Sequence, residues 1–118
     1  YSLDLAPATD ADQGAPGDVV PYTLTLTNLG NVEDTVSLTY AGNLWDVNLS
    51  HTSVLLAAGG TAEITVAVTI PSDALDNDFD KVTITATSTG LVDVSSELTT
   101  TAMVETFDYS TWLPLIVK

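Results

Sequence analysis

The sequence contains no cysteine, no arginine and only two lysines, Lys81 and Lys118, against 16 acidic residues. The absence of cysteine excludes a disulfide framework and a thiol nucleophile. Two cations cannot neutralise a phosphate backbone, so at a net charge of -14 nucleic acid and anionic membranes are poor partners. His51 is the only side chain that ordinarily titrates near neutral pH. Catalysis is poorly provided for, and we expect no enzyme.

Long hydrophobic runs are also missing. A membrane-spanning helix needs about 20 apolar residues, and the longest candidate, 113–117, is broken by Pro114. We therefore expect no membrane span. The apolar fraction of 45% is nevertheless too high for a disordered acidic segment, and 118 residues suffice for one folded core. The sequence predicts one domain at 1–105, followed by an apolar tail or extra strand at 106–118.

Threonine is abundant and alternates with apolar residues at 20–27, 64–70 and 82–87. This period of two is typical of strands with one face in a core and the other in water. Glycine, proline and asparagine separate the runs. The pattern predicts an all-β, immunoglobulin-like, two-sheet antiparallel sandwich of seven to eight strands, with an up-and-down barrel as the alternative. The predicted strands are 2–7, 19–28, 34–40, 45–49, 53–56, 61–70, 81–89 and 92–104.

Three aromatic residues, Tyr22, Tyr40 and Trp45, lie at positions where the alternation faces the core. We predict that they pack inside, with Trp45 as the large residue of the middle strand. His51 stands beside Ser50, but successive strand residues point to opposite faces, so we expect a surface histidine rather than a catalytic pair. With sixteen acidic residues, a pair of carboxylates of the glycosidase type is expected by chance. The sequence indicates no cleft in which such a pair could act on a substrate.

The densest chemistry in the sequence is acidic. Oxygen ligands in a loose arrangement suit calcium, so the segment 71–80 is a candidate calcium site. An EF-hand is excluded, because Lys81 occupies the place of its glycine. In an immunoglobulin-like chain this loop meets the loops at 8–18 and 41–46, which makes one end of the domain acidic. We favour the simpler interpretation of a solvated acidic loop that maintains solubility, because spacing alone does not fix the coordination of an ion. The proposed ligands are Asp73, Asp76, Asp78 and Asp80.

The segment 106–118 is rich in apolar side chains after the sandwich is complete. Such a tail needs a partner, and two readings stay open: it packs on its own domain, or it adds a strand to the sheet edge of a neighbour. Pro114 would restrict such pairing to an edge. The proposed interface residues are Tyr109, Trp112, Leu113, Leu115, Ile116 and Val117.

A family resemblance begins at Pro16-Gly17-Asp18 and continues through Tyr22, Asn28 and Asp34. With the later stretches 56–61, 64–71 and 82–88, this pattern resembles the bacterial and archaeal NEW3 (alpha-galactosidase associated) domains and the related CARDB cell-adhesion domains. The resemblance covers about residues 18–104 and implies a non-catalytic extracellular module. The ending 112–118 is similar to the Leu-Pro-Leu endings of some secreted bacterial proteins.

These observations lead to one functional expectation and one alternative. We expect a non-catalytic structural, spacing or adhesion module of a secreted or cell-surface bacterial protein, with neighbouring domains or subunits as its partners. We expect it to require no cofactor, and calcium is the ion that its acidic loop would suit. The alternative is a self-assembling extracellular filament subunit whose C-terminal strand pairs with a neighbour.

Overall fold

The computed structural model describes residues 2–90 and 92–104, and these residues form nine strands in two sheets. The strands are β1 (Leu3–Ala6), β2 (Thr9–Gly14), β3 (Val19–Asn28), β4 (Asp34–Ala41), β5 (Asp46–Leu49), β6 (Ser53–Leu56), β7 (Thr61–Thr69), β8 (Phe79–Thr87) and β9 (Asp93–Ala102). The four-stranded sheet has the order β1-β3-β7-β5, and the five-stranded sheet has the order β2-β9-β8-β4-β6. The predicted all-β, immunoglobulin-like sandwich is confirmed, with nine strands where seven or eight were expected.

The alternation of apolar and polar residues explains how the two sheets meet. In β3, Val20, Tyr22 and Leu24 are buried, whereas Thr23 and Thr25 are exposed. The same alternation in β4, β7, β8 and β9 turns one face of each sheet towards the other, so the apolar side chains form a single core. Its most deeply buried large side chains include Leu24, Leu26, Ile64, Ile70, Ile84 and Leu98.

The strand that the sequence analysis missed is β2, because a loop was expected at 8–18. Residues 9–14 instead pair with β9 in parallel, and only the last residue, Gly14, is less than fully exposed. A strand with nearly all its side chains in water shows no apolar alternation, so periodicity cannot reveal it. The chain crosses from the four-stranded to the five-stranded sheet around Pro7, after the cis Ala6–Pro7 peptide bond.

The predicted aromatic core is correct for one residue of three. Tyr22 is buried, but Tyr40 is 45% exposed, and Trp45 is only half-buried against the core. Trp45 precedes β5, which is an edge strand of the four-stranded sheet rather than a middle strand. Tyr40 lies near the end of β4, beyond the part of the sandwich that the opposite sheet covers. Among the described residues, no helix is long and apolar enough to cross a membrane.

The loops gather at two ends of the sandwich. At the end that we call the entry pole lie the loops at 29–33, 57–60 and 88–90, and here the Leu29 N–H donates to the Ser2 carbonyl. At the opposite end, the exit pole, lie the loops at 15–18, 42–45 and 70–78. The described chain ends at this pole. The predicted grouping of the acidic loop with its two neighbours is therefore observed, although its first member is shorter than expected.

Candidate functional site

The exit pole contains the four carboxylates that the sequence analysis proposed as calcium ligands. Asp80 is buried at the start of β8, and both of its oxygens accept the Leu44 N–H at 3.0 Å. Its Oδ2 also accepts the Trp45 N–H at 2.9 Å. This one carboxylate therefore fixes the backbone of the loop between β4 and β5.

Two further carboxylates of the same run hold backbone groups. Asp78 Oδ2 accepts the Leu75 N–H at 2.9 Å, which closes the loop that precedes β8. Asp76 Oδ1 accepts the Val104 N–H at 2.9 Å, which ties the end of the described chain to this loop. A carboxylate that accepts backbone N–H groups forms charge-assisted hydrogen bonds, and it satisfies N–H groups that have no backbone acceptor in a turn. These aspartates therefore act as clamps on the loops.

Asp73 is exposed in the same loop. Within residues 2–90 and 92–104, no three histidine, aspartate or glutamate side chains lie close enough together to hold a metal ion. Asp76, Asp78 and Asp80 point at different backbone segments, which is a different use of carboxylates from the shared coordination of one ion. The calcium site stays a prediction. The proposed interface residues Tyr109, Trp112, Leu113, Leu115, Ile116 and Val117, and the boundary at residue 105, lie outside the described residues.

A second set of carboxylates covers the edge strand β2. Glu97 N–H donates to the Ala8 carbonyl, and Met103 N–H donates to the Gly14 carbonyl. By the alternation of a parallel pair, the backbone groups of even-numbered β2 residues bond to β9, and those of odd-numbered residues face outwards. Asp10 Oδ1 accepts the Ala11 N–H and Asp12 Oδ1 accepts the Gln13 N–H, both at 2.8 Å.

The carboxylate caps continue just past β2, where the Ala15 N–H donates to Asp18 Oδ2 at 3.0 Å. Outward-facing N–H groups are what a further strand would bind, so carboxylates in these positions close the edge. Asp10, Asp12 and Asp18 are therefore fold-keeping residues.

Tyr22 of β3 connects the four-stranded sheet to β9, the neighbour of the edge strand β2. Its hydroxyl donates to the Thr99 carbonyl at 2.8 Å and lies 2.9 Å from Thr100 Oγ1. Burial raises the pKa of the Tyr22 phenol above its usual value of 10.0, and the nearby charges of Asp12 and Asp10 raise it further, against the opposing effect of the Thr100 hydrogen bond. Since a neutral phenol is favoured here, this side chain serves as a bridge between the sheets.

Comparison with known families now identifies the domain. The family model of the immunoglobulin-like fold at the C-terminus of FixG, a candidate oxidoreductase, matches residues 21–104. The chain belongs to this FixG C-terminal domain family. The expected immunoglobulin-like domain is thereby confirmed, while kinship with NEW3 or CARDB domains stays a resemblance. No curated protein sequence matches the chain significantly.

Solved structures show the same fold at low sequence identity. A FixG-related protein of Vibrio parahaemolyticus is 15% identical with a TM-score of 0.59, over 71% of this chain and 78% of that one. The human CEP192 ASH/PapD-like domain 7 is 12% identical with a TM-score of 0.66, over 88% and 87% of the two chains. The CsuC–CsuE chaperone and tip adhesion subunit complex of Acinetobacter baumannii is 11% identical with a TM-score of 0.64, over 87% and 53%.

Among the described residues of this FixG C-terminal domain, the surface depressions are poorly suited to bind a small molecule. Two shallow surface depressions, of about 170 and 300 Å³, lie along β5 and beside β2. The first is lined by Asn48, Leu49, Ser50, Thr65 and Ala67, and among the described residues lining the second, Asp12 is the one ionisable group. Enclosed ligand pockets are mostly larger and bring several polar groups to one point.

The Ser50 and His51 side chains do meet, contrary to the expectation from strand geometry. Strand β5 ends at Leu49, and Ser50 Oγ lies 2.9 Å from His51 Nδ1. The same hydroxyl accepts the Thr65 N–H at 2.9 Å. This contact replaces a backbone hydrogen bond beyond the end of β5. The surface histidine is as expected.

Proposed function

We propose that this FixG C-terminal domain is a non-catalytic spacing module of a secreted or cell-surface protein, which holds neighbouring domains apart. Immunoglobulin-like domains are in general structural modules, and their function depends on what they carry or join. The observation that carries the proposal is the path of the chain. Ser2 lies at the entry pole beside Leu29, and Val104 lies at the exit pole beside Asp76, so the two ends of the described domain are at opposite poles.

The carboxylates support this proposal from a second direction. Seven aspartates accept backbone N–H groups, and such acids are engaged in holding loops and edges. A module in series must transmit position between its ends, which requires fixed loops at both poles. The resemblance to NEW3 and CARDB domains agrees with an extracellular placement and with an adhesive use of the exposed faces.

The test places the whole chain between two reporter domains and measures their separation by small-angle X-ray scattering. The ten residues of β3 set the length of the sandwich at about 30 Å, because a strand rises about 3.3 Å per residue. We expect a narrow distance distribution that is longer by this amount than in a direct fusion. A broad distribution, as given by a glycine-serine linker of 118 residues, would contradict a spacing role.

The filament subunit is the second candidate, and one edge favours it. In β6, the Leu38 N–H donates to the Thr52 carbonyl, so by the alternation of an antiparallel pair Ser53 and Leu55 direct their backbone groups away from β4. Leu55 is 62% exposed. This edge presents both backbone donors and an apolar side chain to an incoming strand, as strand addition requires.

Light scattering separates the two candidates. For a spacer we expect a monomer at all concentrations, with or without residues 105–118. For a filament subunit the mass should rise with concentration, fall when residues 105–118 are removed, and fall when Leu55→Lys blocks the β6 edge. The matched control is Thr25→Lys on the exposed face of β3, a position flanked by β1 and β7 inside the four-stranded sheet.

A further inference from the structure

Several large apolar side chains are exposed at the exit pole, and three of them lie in or next to the loops at 42–45 and 70–78. Leu44 is 91% exposed, Leu75 is 70% exposed and Phe79 is 61% exposed. Isolated exposed apolar residues are ordinary on protein surfaces, but a group of them at one end of a domain marks an interaction site.

Hydrogen bonds of the acidic run hold the backbone at two of these positions. Leu75 N–H is bound by Asp78, Leu44 N–H is bound by Asp80, and Phe79 lies between the two aspartates in sequence. The bond from Asp80 therefore places Leu44 at the same pole as Leu75 and Phe79, which are more than 30 residues away in sequence. We call Leu44, Leu75 and Phe79 the exit-pole apolar surface.

The same hydrogen bonds hold this surface in place before anything binds. The Asp80 carboxylate is 7% exposed and bonds to two successive backbone N–H groups of the Leu44 loop. On the other side, the Asn77 N–H donates to the Ala102 carbonyl at 2.8 Å. A surface fixed in advance loses little conformational entropy on binding, which favours association.

The described chain ends beside this surface. Met103 N–H donates to the Gly14 carbonyl at 2.8 Å, and Val104 N–H donates to Asp76 Oδ1. Fourteen residues follow Val104 in the sequence. At about 3.3 Å per residue their reach is about 45 Å, which exceeds the distance to loops that are bonded to Asp76 and its neighbours.

The composition of 106–118 matches an apolar surface with an acidic border. The run 112–117 contains Trp112, Leu113 and Ile116 and carries no charge, so it can approach the aspartates without repulsion. The next residue, Lys118, is the one cation of the segment. Since the segment is joined to the domain beside its target, its effective concentration is in the millimolar range, which a second copy in solution would not reach.

We propose that residues 106–118 bind in cis to the exit-pole apolar surface of their own domain. This contact buries Leu44, Leu75 and Phe79 against the apolar run and leaves the edges β5 and β6 free. The proposal goes beyond the spacing role. It is incompatible with the filament subunit, whose C-terminal segment would pair with a neighbour instead.

The first experiment uses Trp112 as its own reporter in the full chain. Trp45→Phe leaves Trp112 as the only tryptophan. We expect blue-shifted emission that is protected from acrylamide, and loss of this protection in Leu44→Ser combined with Phe79→Ser. The matched control is Leu55→Ser, an exposed leucine on β6, which should leave the emission unchanged. Emission typical of water in the Trp45→Phe chain would overturn the proposal.

A second measurement avoids any change in the half-buried Trp45. In the native background, Trp112→Ser removes the ring from the tail, and the methyl resonances of Leu44 and Leu75 are compared with those of Leu55. We expect the first two to shift and the third to stay, through loss of the ring current. Unchanged Leu44 and Leu75 resonances would overturn the proposal. So would shifts that occur only at concentrations where light scattering shows a dimer, because the occupant would then be a second copy.

Discussion

The two poles of the sandwich hold their loops with different chemistry. At the entry pole the central group is one neutral, fully buried amide, Asn28. Its Nδ2 donates to the carbonyls of Val32, Leu56 and Ala57, and its Oδ1 accepts the Gly30 N–H. At the exit pole the work is divided among several carboxylates, of which only Asp80 is buried.

This difference separates a structural end from an adaptable one. A buried amide with its partners satisfied specifies one arrangement and is costly to disturb, whereas exposed carboxylates contribute less each and can be changed separately. The entry pole also contains a group that lowers stability. Asp34 is buried there, with Oδ1 bonded to the Thr89 N–H and Oδ2 without a partner among the described residues. The entry pole exposes Leu29 and Val32, whereas the exit pole carries the exit-pole apolar surface beside the acidic run.

The largest effect should come from removing the amide at the entry pole. Asn28→Ala leaves three carbonyls and the Gly30 N–H without their partner, and we expect a loss of about 3 kcal/mol in the free energy of unfolding. Urea denaturation measures it. Asn31→Ala, an exposed amide in the same loop, is the control and should change stability by less than about 0.5 kcal/mol. Similar losses in the two variants would contradict the central role of Asn28.

At the exit pole the largest effect should come from Asp80. Asp80→Ala removes the acceptor of the Leu44 and Trp45 N–H groups, and we expect a loss of about 2 kcal/mol. The Trp45 emission should also move to longer wavelength, because the loop that holds this side chain against the core is released. Asp73→Ala in the neighbouring loop is the control, with neither change expected. If Asp80→Ala leaves both stability and emission unaltered, the carboxylate does not clamp this loop.

These two poles also show what sequence reasoning can and cannot reach. The role of Asn28 as a turn-closing residue follows from residue type and position, since asparagine bonds readily to nearby backbone. The role of Asp80 does not, because its partners Leu44 and Trp45 lie 36 and 35 residues away. The sequence shows the acidic run but not where each carboxylate points. Metal ligands therefore cannot be distinguished from carboxylates that bind loop backbone.

The fold was predicted to the extent that burial produces periodicity. Strands β3, β7 and β8 were found because one face of each meets the core, and β2 was missed because it has no such face. Tyr40 was predicted in the core but is exposed, because alternation gives the face of a residue and not where the opposing sheet ends. Phe79 lies on the outward face of β8, next to the buried Asp80 and just before the strand predicted at 81–89. The exposed apolar group at the exit pole was therefore not predictable from periodicity.

A smaller effect concerns the bridge from β3 to the closed edge. Tyr22→Phe removes hydrogen bonds to Thr99 and Thr100, and we expect a loss of about 1 kcal/mol at neutral pH. Because the folded-state pKa of Tyr22 is raised above 10.0, its contribution is fully present below pH 10 and is lost as the pH rises through the folded pKa. Thermal melts between pH 8 and 11 test this. The wild type should lose more stability than Tyr22→Phe, and parallel profiles would contradict it.

The smallest effect is expected from calcium at the exit pole. A site with a Kd of about 1 mM would stabilise the fold by about 1 kcal/mol at about 5 mM calcium, which would raise the melting temperature by about 4 °C. Asp76, Asp78 and Asp80 already accept backbone N–H groups, and an ion would have to displace those bonds. We therefore expect a change below about 1 °C in the full chain. A rise of several degrees that Asp78→Ala with Asp80→Ala abolishes, and that magnesium does not reproduce, would instead establish the calcium site and make this pole an ion-dependent joint.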